Sequence, residues 1–394
     1  MMDSGHEKIP PPGQRRSRVA GASADSFSAD YGTAAPVCPI CSSPETHLFA
    51  EGQDRLFKVA PGNYRLQCCR SCCCIFQIPF PSEESIRRFY PETYWWSECA
   101  GPVRGLGGLL QRLEGGYRAV VAMDHVHFLE RCARKSGAGE RTLLDIGCGS
   151  GLFLHLARRR GFLCHGMDIS ERAVRAVRQQ YAIEARVGSV GDDIWHGQRF
   201  DFVTLFHVLE HLRDPRSALS YARAQLKPHG CLIVQVPNLK SLQSRFFGKR
   251  WHGLDVPRHI INFSPQGLRL LLNEAGFCIE HTARFSLRDN PASIASSLAP
   301  ALDPIARGSS RLTTGTLARA VMEITYFGLV VLSTPPALIE SALGAGGTIW
   351  VCARLADGSS QGSLSELSKP TSKTPNAQRS TGPKVSVEET QRGG

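Results

Sequence analysis

Seven cysteines lie between residues 38 and 74, and two pairs of them have the spacing of a zinc knuckle. In each pair two residues separate the thiols, and 27 residues separate the pairs. Because this spacing lets both sulfurs of a tight turn reach one tetrahedral ion, the pairs predict a four-sulfur structural zinc site. Free or redox-active thiols are the alternative, and Cys68, Cys73 and Cys74 are alternative ligands. The predicted ligands are Cys38, Cys41, Cys69 and Cys72.

A glycine-rich turn, Asp145-Ile-Gly-Cys-Gly-Ser-Gly151, follows a short apolar run. Glycines permit positive φ and let backbone amides approach a ligand closely. A dinucleotide fingerprint would need a small residue at position 152, where this chain has Leu152. Asp168 lies 21 residues after Gly147, where its carboxylate can accept hydrogen bonds from both hydroxyls of a ribose. These residues therefore predict a site for an adenosine-containing cofactor.

From residue 141 onward, short apolar runs alternate with amphipathic stretches, which predicts a parallel sheet with crossover helices. The expected fold class is α/β, a Rossmann-like doubly wound sheet of about seven strands, with an N-terminal zinc knuckle and a helical insertion before the last strand. Such a sheet binds its ligand at the carboxyl ends of the strands. The predicted strands are 142–146, 163–167, 185–187, 200–206, 231–236, 278–282 and 348–353, and the predicted helices are 152–160, 171–181, 215–226 and 265–274.

Three segments resemble class I S-adenosylmethionine-dependent methyltransferases of the ubiquinone-methyltransferase-like branch: Leu144 to Gly151, Gly166 to Ser170, and Phe200 to Leu212. The resemblance covers about residues 141–286 and the last strand. It implies that the glycine turn holds the methionine end of the cofactor, that Asp168 holds the ribose, and that residues 188–190 lie by the adenine. No acid stands at position 189, so Asp192 or Asp193 is expected to take its place. The candidate cofactor residues are Asp145, Gly147, Cys148, Gly149, Gly151, Asp168, Ile169, Val190 and Phe206.

Residues 37–96 resemble the zinc-binding segment that precedes such domains in bacterial sugar-methylating and polysaccharide-modifying enzymes. The shared order is the second cysteine pair, then Ile75 to Pro79, then Tyr90 to Trp95. The expected domains are a disordered tail (1–36), a zinc-binding module (37–80), a helical linker with glycine-rich breaks (81–135), a methyltransferase domain (136–355, with an insertion at about 287–345) and a second disordered tail (356–394).

Methyl transfer to a hydroxyl or a carbon acid needs a base, and histidines after the fourth predicted strand are candidates. His207, Glu210 and His211 occupy that position. Glu210 and His211 either take part in catalysis or only shape the cofactor loop. Some quinone-methylating relatives bind a divalent ion at the corresponding positions, but His207 replaces the first acid here, so metal use stays open. The H-x-x-E-H pattern is also that of inverzincins, which we reject because that site requires a long helix in another fold.

A second group of candidates lies in residues 251–259, an insertion after the fifth predicted strand. Such insertions often form lids over a substrate. His252 or His259 is a candidate base, and Arg258 is a candidate anion-binding residue. The alternative is a loop in which His259 only bonds the backbone. The catalytic candidates are His207, His211 and His259.

The formal net charge of +11 favours anionic partners such as nucleotide sugars, nucleic acid or a lipid surface. No secretory signal is recognisable, so we expect a cytoplasmic protein whose 14 cysteines stay reduced. Residues 324–339 carry no charge, but this run is short for a bilayer span and contains Pro335 and Pro336. It predicts a buried or interfacial helical hairpin, with peripheral membrane contact through residues 320–340.

The predicted function is methyl transfer from S-adenosylmethionine to a small molecule or to a glycan or lipid precursor. An RNA methyltransferase is the first alternative, since positive charge and a zinc knuckle suit nucleic acid. Against it, Phe206-His207 lacks the Asn-Pro-Pro-Tyr type of segment that many base-methylating enzymes use. The second alternative is a protein that binds the cofactor without catalysis. Nothing in the sequence indicates the oligomeric state.

Overall fold

A computed structural model describes residues 36–90, 106–136, 141–309 and 316–356. The predicted tails, apart from residues 36 and 356, and the Tyr94-Trp95-Trp96 segment lie outside the described residues. The strands are β1 (Thr46–Gly52), β2 (Tyr64–Cys69), β3 (Ile75–Ile78), β4 (Thr142–Ile146), β5 (Leu163–Asp168), β6 (Glu184–Val187), β7 (Phe200–Phe206), β8 (Leu226–Pro237), β9 (Ile261–Asn262), β10 (Phe277–Ala283) and β11 (Thr348–Leu355). The helices are α1 (Glu83–Arg88), α2 (Leu106–Ser136), α3 (Leu152–Arg158), α4 (Glu171–Tyr181), α5 (Pro215–Gln225), α6 (Leu242–Phe247), α7 (Pro265–Glu274), α8 (Asp289–Leu298), α9 (Pro304–Ser309) and α10 (Thr316–Ala342).

The larger sheet has seven strands in the order β10-β11-β8-β7-β4-β5-β6. Strands β4 to β8 pair in parallel, and β11 runs antiparallel to both β8 and β10. Its central strands are buried on both faces, as a sheet covered by helices on both sides requires. The predicted doubly wound α/β fold is therefore confirmed.

One predicted turn is part of a strand. Residues 227–230, which lie between the predicted helix 215–226 and the predicted strand 231–236, belong to β8, because Leu226 already pairs with Phe200 of β7 before the register shifts. The Pro and Gly in this segment are tolerated at the irregular end of the strand.

The cysteine-rich segment is built into the rest of the molecule. Strands β1, β2 and β3 pair with β9 to form a four-stranded sheet, and β9 lies in the part of the chain that also forms the larger sheet. Ser264, the N-cap of α7, donates its hydroxyl to the backbone carbonyl of Cys72. Cys38, Cys72 and Phe263 all belong to one buried apolar cluster. The predicted module at 37–80 thus shares its core with the main domain.

Helix α2 runs from 106 to 136 without a break, although the sequence suggested glycine-rich interruptions in this region. Gly115 and Gly116 lie inside it, at a cost of about 1 kcal/mol each. Packing offsets this cost, because Val126 and Leu129 are fully buried. Tertiary packing therefore stabilises α2 as one continuous helix across these glycines.

The expected hairpin within 324–339 is wrong, because α10 is one continuous helix with Pro335 and Pro336 inside it. These prolines cannot donate to the carbonyls of Val331 and Leu332, and both of those residues are exposed to solvent. The opposite face of α10 packs along α8. Among the described residues, α10 is the helix long and apolar enough to cross a membrane by length and composition, with a mean hydropathy of 1.4 and 17% of that stretch buried.

Candidate active site

The turn after β4 has the backbone that its glycines predicted. Gly147, Gly149 and Gly151 have φ values of +78°, +50° and +75°. The amide of Gly147 donates to the carbonyl of Met167 at 2.7 Å, which ties the turn to the end of β5. A Cβ on Gly147 would lie 2.6 Å from Cγ2 of Val208, so no other residue fits there without displacement.

Two buried carboxyls lie beside this turn. Asp168 ends β5, and its two oxygens accept from the amides of Gly149 at 2.9 Å and Ser170 at 2.8 Å. Burial raises the pKa of Asp168, and it raises the pKa of Asp145 to about 7. Thr204 donates its hydroxyl to Asp145 at 2.6 Å. Each Asp168 oxygen keeps a lone pair, so the carboxylate can still accept bonds from two hydroxyls.

A cavity of about 2890 Å³ opens at the carboxyl ends of β4, β5 and β7. Ligand pockets are usually about 300–1,000 Å³, so this one has room for an acceptor beside a cofactor. Gly151 does not line it; a Cβ there would lie 2.7 Å from Cγ2 of Val177, so this glycine serves packing. The other predicted cofactor residues all line it: Asp145, Gly147, Cys148, Gly149, Asp168, Ile169, Val190 and Phe206.

The expected replacement for an adenine-contacting acid faces elsewhere. Oδ2 of Asp192 accepts from the amide of Ser189 at 2.6 Å and so holds the loop after β6. Ser189 and Val190 line the cavity, whereas neither Asp192 nor Asp193 does.

His207 lies between two carboxylates. Its Nδ1 is 3.0 Å from Oε1 of Glu210, and its Nε2 is 3.3 Å from Oδ2 of Asp289, the first residue of α8. Burial opposes the charged imidazolium, but the charge of Asp289 and then the bond to Glu210 outweigh it and raise the pKa of His207 to about 9. His207 also holds the pKa of both carboxyls low, against the effect of burial. At neutral pH His207 is therefore a cation and cannot accept a proton.

His211 and His259 also line the cavity. Nδ1 of His259 is 2.7 Å from the carbonyl oxygen of Gly253. A carbonyl only accepts, so Nδ1 of His259 carries the proton and its Nε2 has the lone pair in the neutral ring. Nδ1 of His211 lies 3.1 Å from the carbonyl oxygen of Arg258 and 3.0 Å from the hydroxyl oxygen of Tyr90, so either group can be its partner. Burial, and then the nearby His211, lower the pKa of His259 to about 4. His259 is therefore neutral at pH 7.

Glu210, His211 and His259 converge. One ligand atom of each lies within 4.8 Å of the others, a set able to hold a metal ion. Glu210 is fully buried, and among the described residues its Oε2 has no hydrogen-bond partner. Glu210 itself does not line the cavity, so this anionic oxygen is accessible to a cation held between His211 and His259 but not to a ligand in the open cavity.

Arg258 does not offer its charge to a substrate. Its guanidinium is completely buried and pairs with Asp54 at 2.8 Å and Asp255 at 2.6 Å. Asp54 comes from the segment between β1 and β2, so the pair fastens residues 251–259 to the N-terminal sheet. The expectation that Arg258 binds an anion is wrong for this reason.

The four predicted zinc ligands converge at the edge of the N-terminal sheet. Sγ of Cys38 lies 3.6 Å from that of Cys72, and Sγ of Cys41 lies 3.4 Å from that of Cys69. Tetrahedral sulfurs at the usual zinc–sulfur distance are about 3.8 Å apart, so the four thiols fit a zinc ion. Cys74 instead faces the hydroxyl of Ser264 at 3.7 Å.

Two residues near the cavity that the sequence analysis did not predict come from α2 and from α8. His125 of α2 is buried with its ring centroid 4.6 Å from that of Phe206, and burial lowers its pKa to about 3. Asp289 of α8 completes the His207 network. Neither stands in a recognisable motif. The one feature of the sequence that pointed to Asp289 was the pair of charged residues, Arg288-Asp289, near the start of the predicted insertion.

A doubly wound sheet with a glycine turn after one strand and an acid closing the next defines the fold and site of a class I methyltransferase. The profile of a family described as a methyltransferase domain, Methyltransf_23, matches residues 116–282. A ubiquinone biosynthesis O-methyltransferase from Cereibacter sphaeroides is 31% identical over 167 residues, 40% of this chain and 67% of that protein. The chain therefore belongs to the class I S-adenosylmethionine-dependent methyltransferases.

Other relatives match less of their length. A ubiquinone biosynthesis O-methyltransferase from Actinobacillus pleuropneumoniae is 28% identical over 115 residues, 27% of this chain and 49% of that protein. The chain thus spans about half the length of this curated relative and of one from Coxiella burnetii, 53% of which is covered. Among solved structures, a putative sarcosine dimethylglycine methyltransferase from Galdieria sulphuraria matches at 17% identity and a TM-score of 0.41, over 59% of this chain and 85% of that one.

Proposed function

We propose that this protein transfers the methyl group of S-adenosylmethionine to a small molecule or to a glycan or lipid precursor. The observation that carries the proposal is the shared cavity: the cofactor cradle and the neutral His259 line one space, large enough for donor and acceptor together. Bound S-adenosylmethionine supplies an electrophilic methyl carbon. This chain must then orient the acceptor and take its proton.

His211 lines the cavity as well, and His259 is the base that we propose. Its Nδ1 is occupied by the carbonyl of Gly253, which leaves the Nε2 lone pair available, and its low pKa keeps that lone pair unprotonated at pH 7. His207 is a cation, so its proposed role is to hold Glu210 in place by donating a hydrogen bond from Nδ1. In this proposal the oxygen or carbon of the acceptor bonds to the methyl carbon as the methyl–sulfur bond breaks, the proton of the acceptor passes to Nε2 of His259, and S-adenosylhomocysteine leaves.

The turn and Asp168 are proposed to hold the cofactor. Asp168 binds the ribose hydroxyls, and the amides around Gly149 approach the methionine part. The four cysteines are proposed to hold a structural zinc ion that performs no chemistry, because a filled four-sulfur site has no position for water.

Transfer of a labelled methyl group tests the function. Protein and labelled S-adenosylmethionine are incubated separately with total RNA, with a water-soluble small-molecule extract and with a lipid extract. Label in either of the last two supports the proposal, provided that Asp168→Asn abolishes it. Label in RNA would show an RNA methyltransferase, and tight cofactor binding without any transfer would show a non-catalytic binder.

A divalent ion on Glu210, His211 and His259 is a second way to activate an acceptor, favoured by their convergence. Chelation separates the two. If His259 acts as a base, activity survives a chelator that leaves the zinc content unchanged. If an ion is required, activity disappears and returns with an added first-row divalent ion such as Mn²⁺, Fe²⁺ or Zn²⁺, the ions that a site of two imidazoles and one carboxylate suits.

A further inference from the structure

Helix α10 exposes an apolar stripe along its length. Leu317, Ile324, Val331 and Leu338 follow one another at intervals of seven residues, which places them on one face of the helix. Val321, Leu332 and Ile339 flank this line. All seven side chains are between 50% and 75% exposed. Apolar side chains scattered singly need no explanation, but a contiguous exposed stripe marks an interaction surface.

A basic segment adjoins the C-terminal end of this helix. Nε2 of Gln243 in α6 donates to Oε1 of Glu340 in α10 at 2.6 Å, which fixes α6 against the helix. Phe246 of α6 is 81% exposed. The exposed cations around Phe246 are Arg245, Lys249 and Arg250. An exposed aromatic side chain among cations is typical of segments that lie at a charged interface.

The same helix forms a wall of the active-site cavity. Met322, Tyr326 and Val330 line the cavity from α10. Ile324 and Phe327 line it as well, and both remain about half exposed or more. The exposed stripe is therefore continuous with the mouth of the cavity, so whatever covers the stripe also lies at the entrance.

We propose that the apolar stripe of α10 and the basic segment 242–250 form a docking face for an anionic lipid bilayer. The inference rests on the proposed function and deepens it: the acceptor is an amphiphile that resides in the bilayer and enters the cavity past Ile324 and Phe327. The helix lies in the membrane surface, because the face of α10 opposite the stripe packs on α8. The basic segment reaches the same cavity mouth from another side, since Trp251 and His252, directly after it, line the cavity.

The charge of this segment favours an anionic bilayer as the partner of the face. A symmetric dimer with parallel α10 helices would bring the two basic segments together, and like charges repel, whereas antiparallel helices would keep the segments apart, so a dimer is an outcome that the test must detect. Anionic lipids attract the same segment, by about fivefold in partition for each cation near the surface. The stripe and the segment together supply the two attractions that peripheral binding needs.

Vesicle sedimentation of the full chain tests the docking face. We expect binding to vesicles of phosphatidylcholine with phosphatidylglycerol, and much weaker binding to phosphatidylcholine alone. Leu338→Asp should weaken partition by about 10-fold or more, because it places a charge where a leucine is buried in lipid. Leu163→Asp is the matched control, since Leu163 is 52% exposed at the other end of the sheet and Leu338 is 50% exposed.

The charge contribution is tested by Lys249→Glu combined with Arg250→Glu, which should weaken binding to anionic vesicles by at least ~20-fold. Arg134→Glu with Arg159→Glu makes the same change of charge on α2 and at the end of α3, and should have little effect. Failure of the wild type to bind anionic vesicles, or equal losses in the control variants, would overturn the docking face. The docking face would also be overturned if the wild type were a dimer in solution and Leu338→Asp converted it to a monomer.

Calorimetric binding of S-adenosylmethionine without vesicles separates this inference from the proposed function. All variants should bind the cofactor as the wild type does. If the wild type binds the cofactor but no bilayer, only the docking face is contradicted. If it binds the bilayer but transfers no methyl group to any extract, the proposed function is contradicted.

Discussion

His207 adopts a φ of +55°, a conformation that L-residues other than glycine rarely take. Its amide donates to the carbonyl of Gln235 at 2.9 Å, and its ring is held between Glu210 and Asp289. These contacts offset a backbone cost of about 1–2 kcal/mol. The strained residue lies at the cavity wall, where it positions the buried acid of the site.

The ion pairs of His207 make stability depend on pH. A pKa raised from 6.5 to about 9 stabilises the fold fully below pH 6.5, and this stabilisation is lost as the pH rises through 9. The free energy of unfolding of the wild type, minus that of His207→Gln, should therefore fall by about 2–3 kcal/mol between pH 7 and pH 10. Urea denaturation across this range measures it, and a constant difference would contradict the charged state of His207.

His259 is tested by removal of its ring. His259→Ala should bind S-adenosylmethionine as the wild type does and turn over at least ~100-fold more slowly, since it lacks the proton acceptor. Cofactor calorimetry and a labelled-methyl assay measure the two quantities. His229→Ala, at an exposed position, is the control. An unchanged turnover number for His259→Ala would remove His259 from catalysis.

At the scale of elements, the buried Asp54–Arg258 pair joins the segment after β1 to residues 251–259. Those residues end in His259, so the N-terminal sheet determines where the proposed base lies. Such a connection explains why residues from β1–β2 and from the methyltransferase half line the same cavity.

Breaking this pair should be costly. Asp54→Ala leaves the charge of Arg258 buried with only Asp255 as an acidic partner, and we expect a loss of about 3–5 kcal/mol in the free energy of unfolding. Glu171→Ala removes an exposed pair with Arg175 and should cost less than about 1 kcal/mol. Urea denaturation compares the two, and similar losses would show that the buried pair does not fasten the segments.

At the scale of the whole molecule, the cysteine cluster and the large sheet share one apolar core. We therefore expect binding of the proposed zinc ion to the four thiols to be coupled to the folding of the methyltransferase domain.

Metal removal tests this coupling. Purified protein should contain about one zinc per chain, and Cys38→Ser with Cys41→Ser should contain none. Chelation should lower the temperature of a single unfolding transition seen by both calorimetry and cofactor release. Two separate transitions, or a metal-free wild type with the same melting temperature, would contradict a shared core. Ser substitution at Cys68 and Cys73 is the control.

Local patterns in the sequence predict the α/β core, the turn from Asp145 to Gly151 and the acid at 168, because periodicity and glycine conformation are local properties of the chain. Spacing likewise indicates which cysteines can share an ion. The protonation and pairing of His207, His259 and Arg258 could not be predicted in this way, because they depend on Asp289, Gly253 and Asp54, which are distant in sequence or lie in segments without periodicity. The continuity of α10 was also a tertiary outcome: packing on α8 outweighs two prolines that, read locally, end a helix.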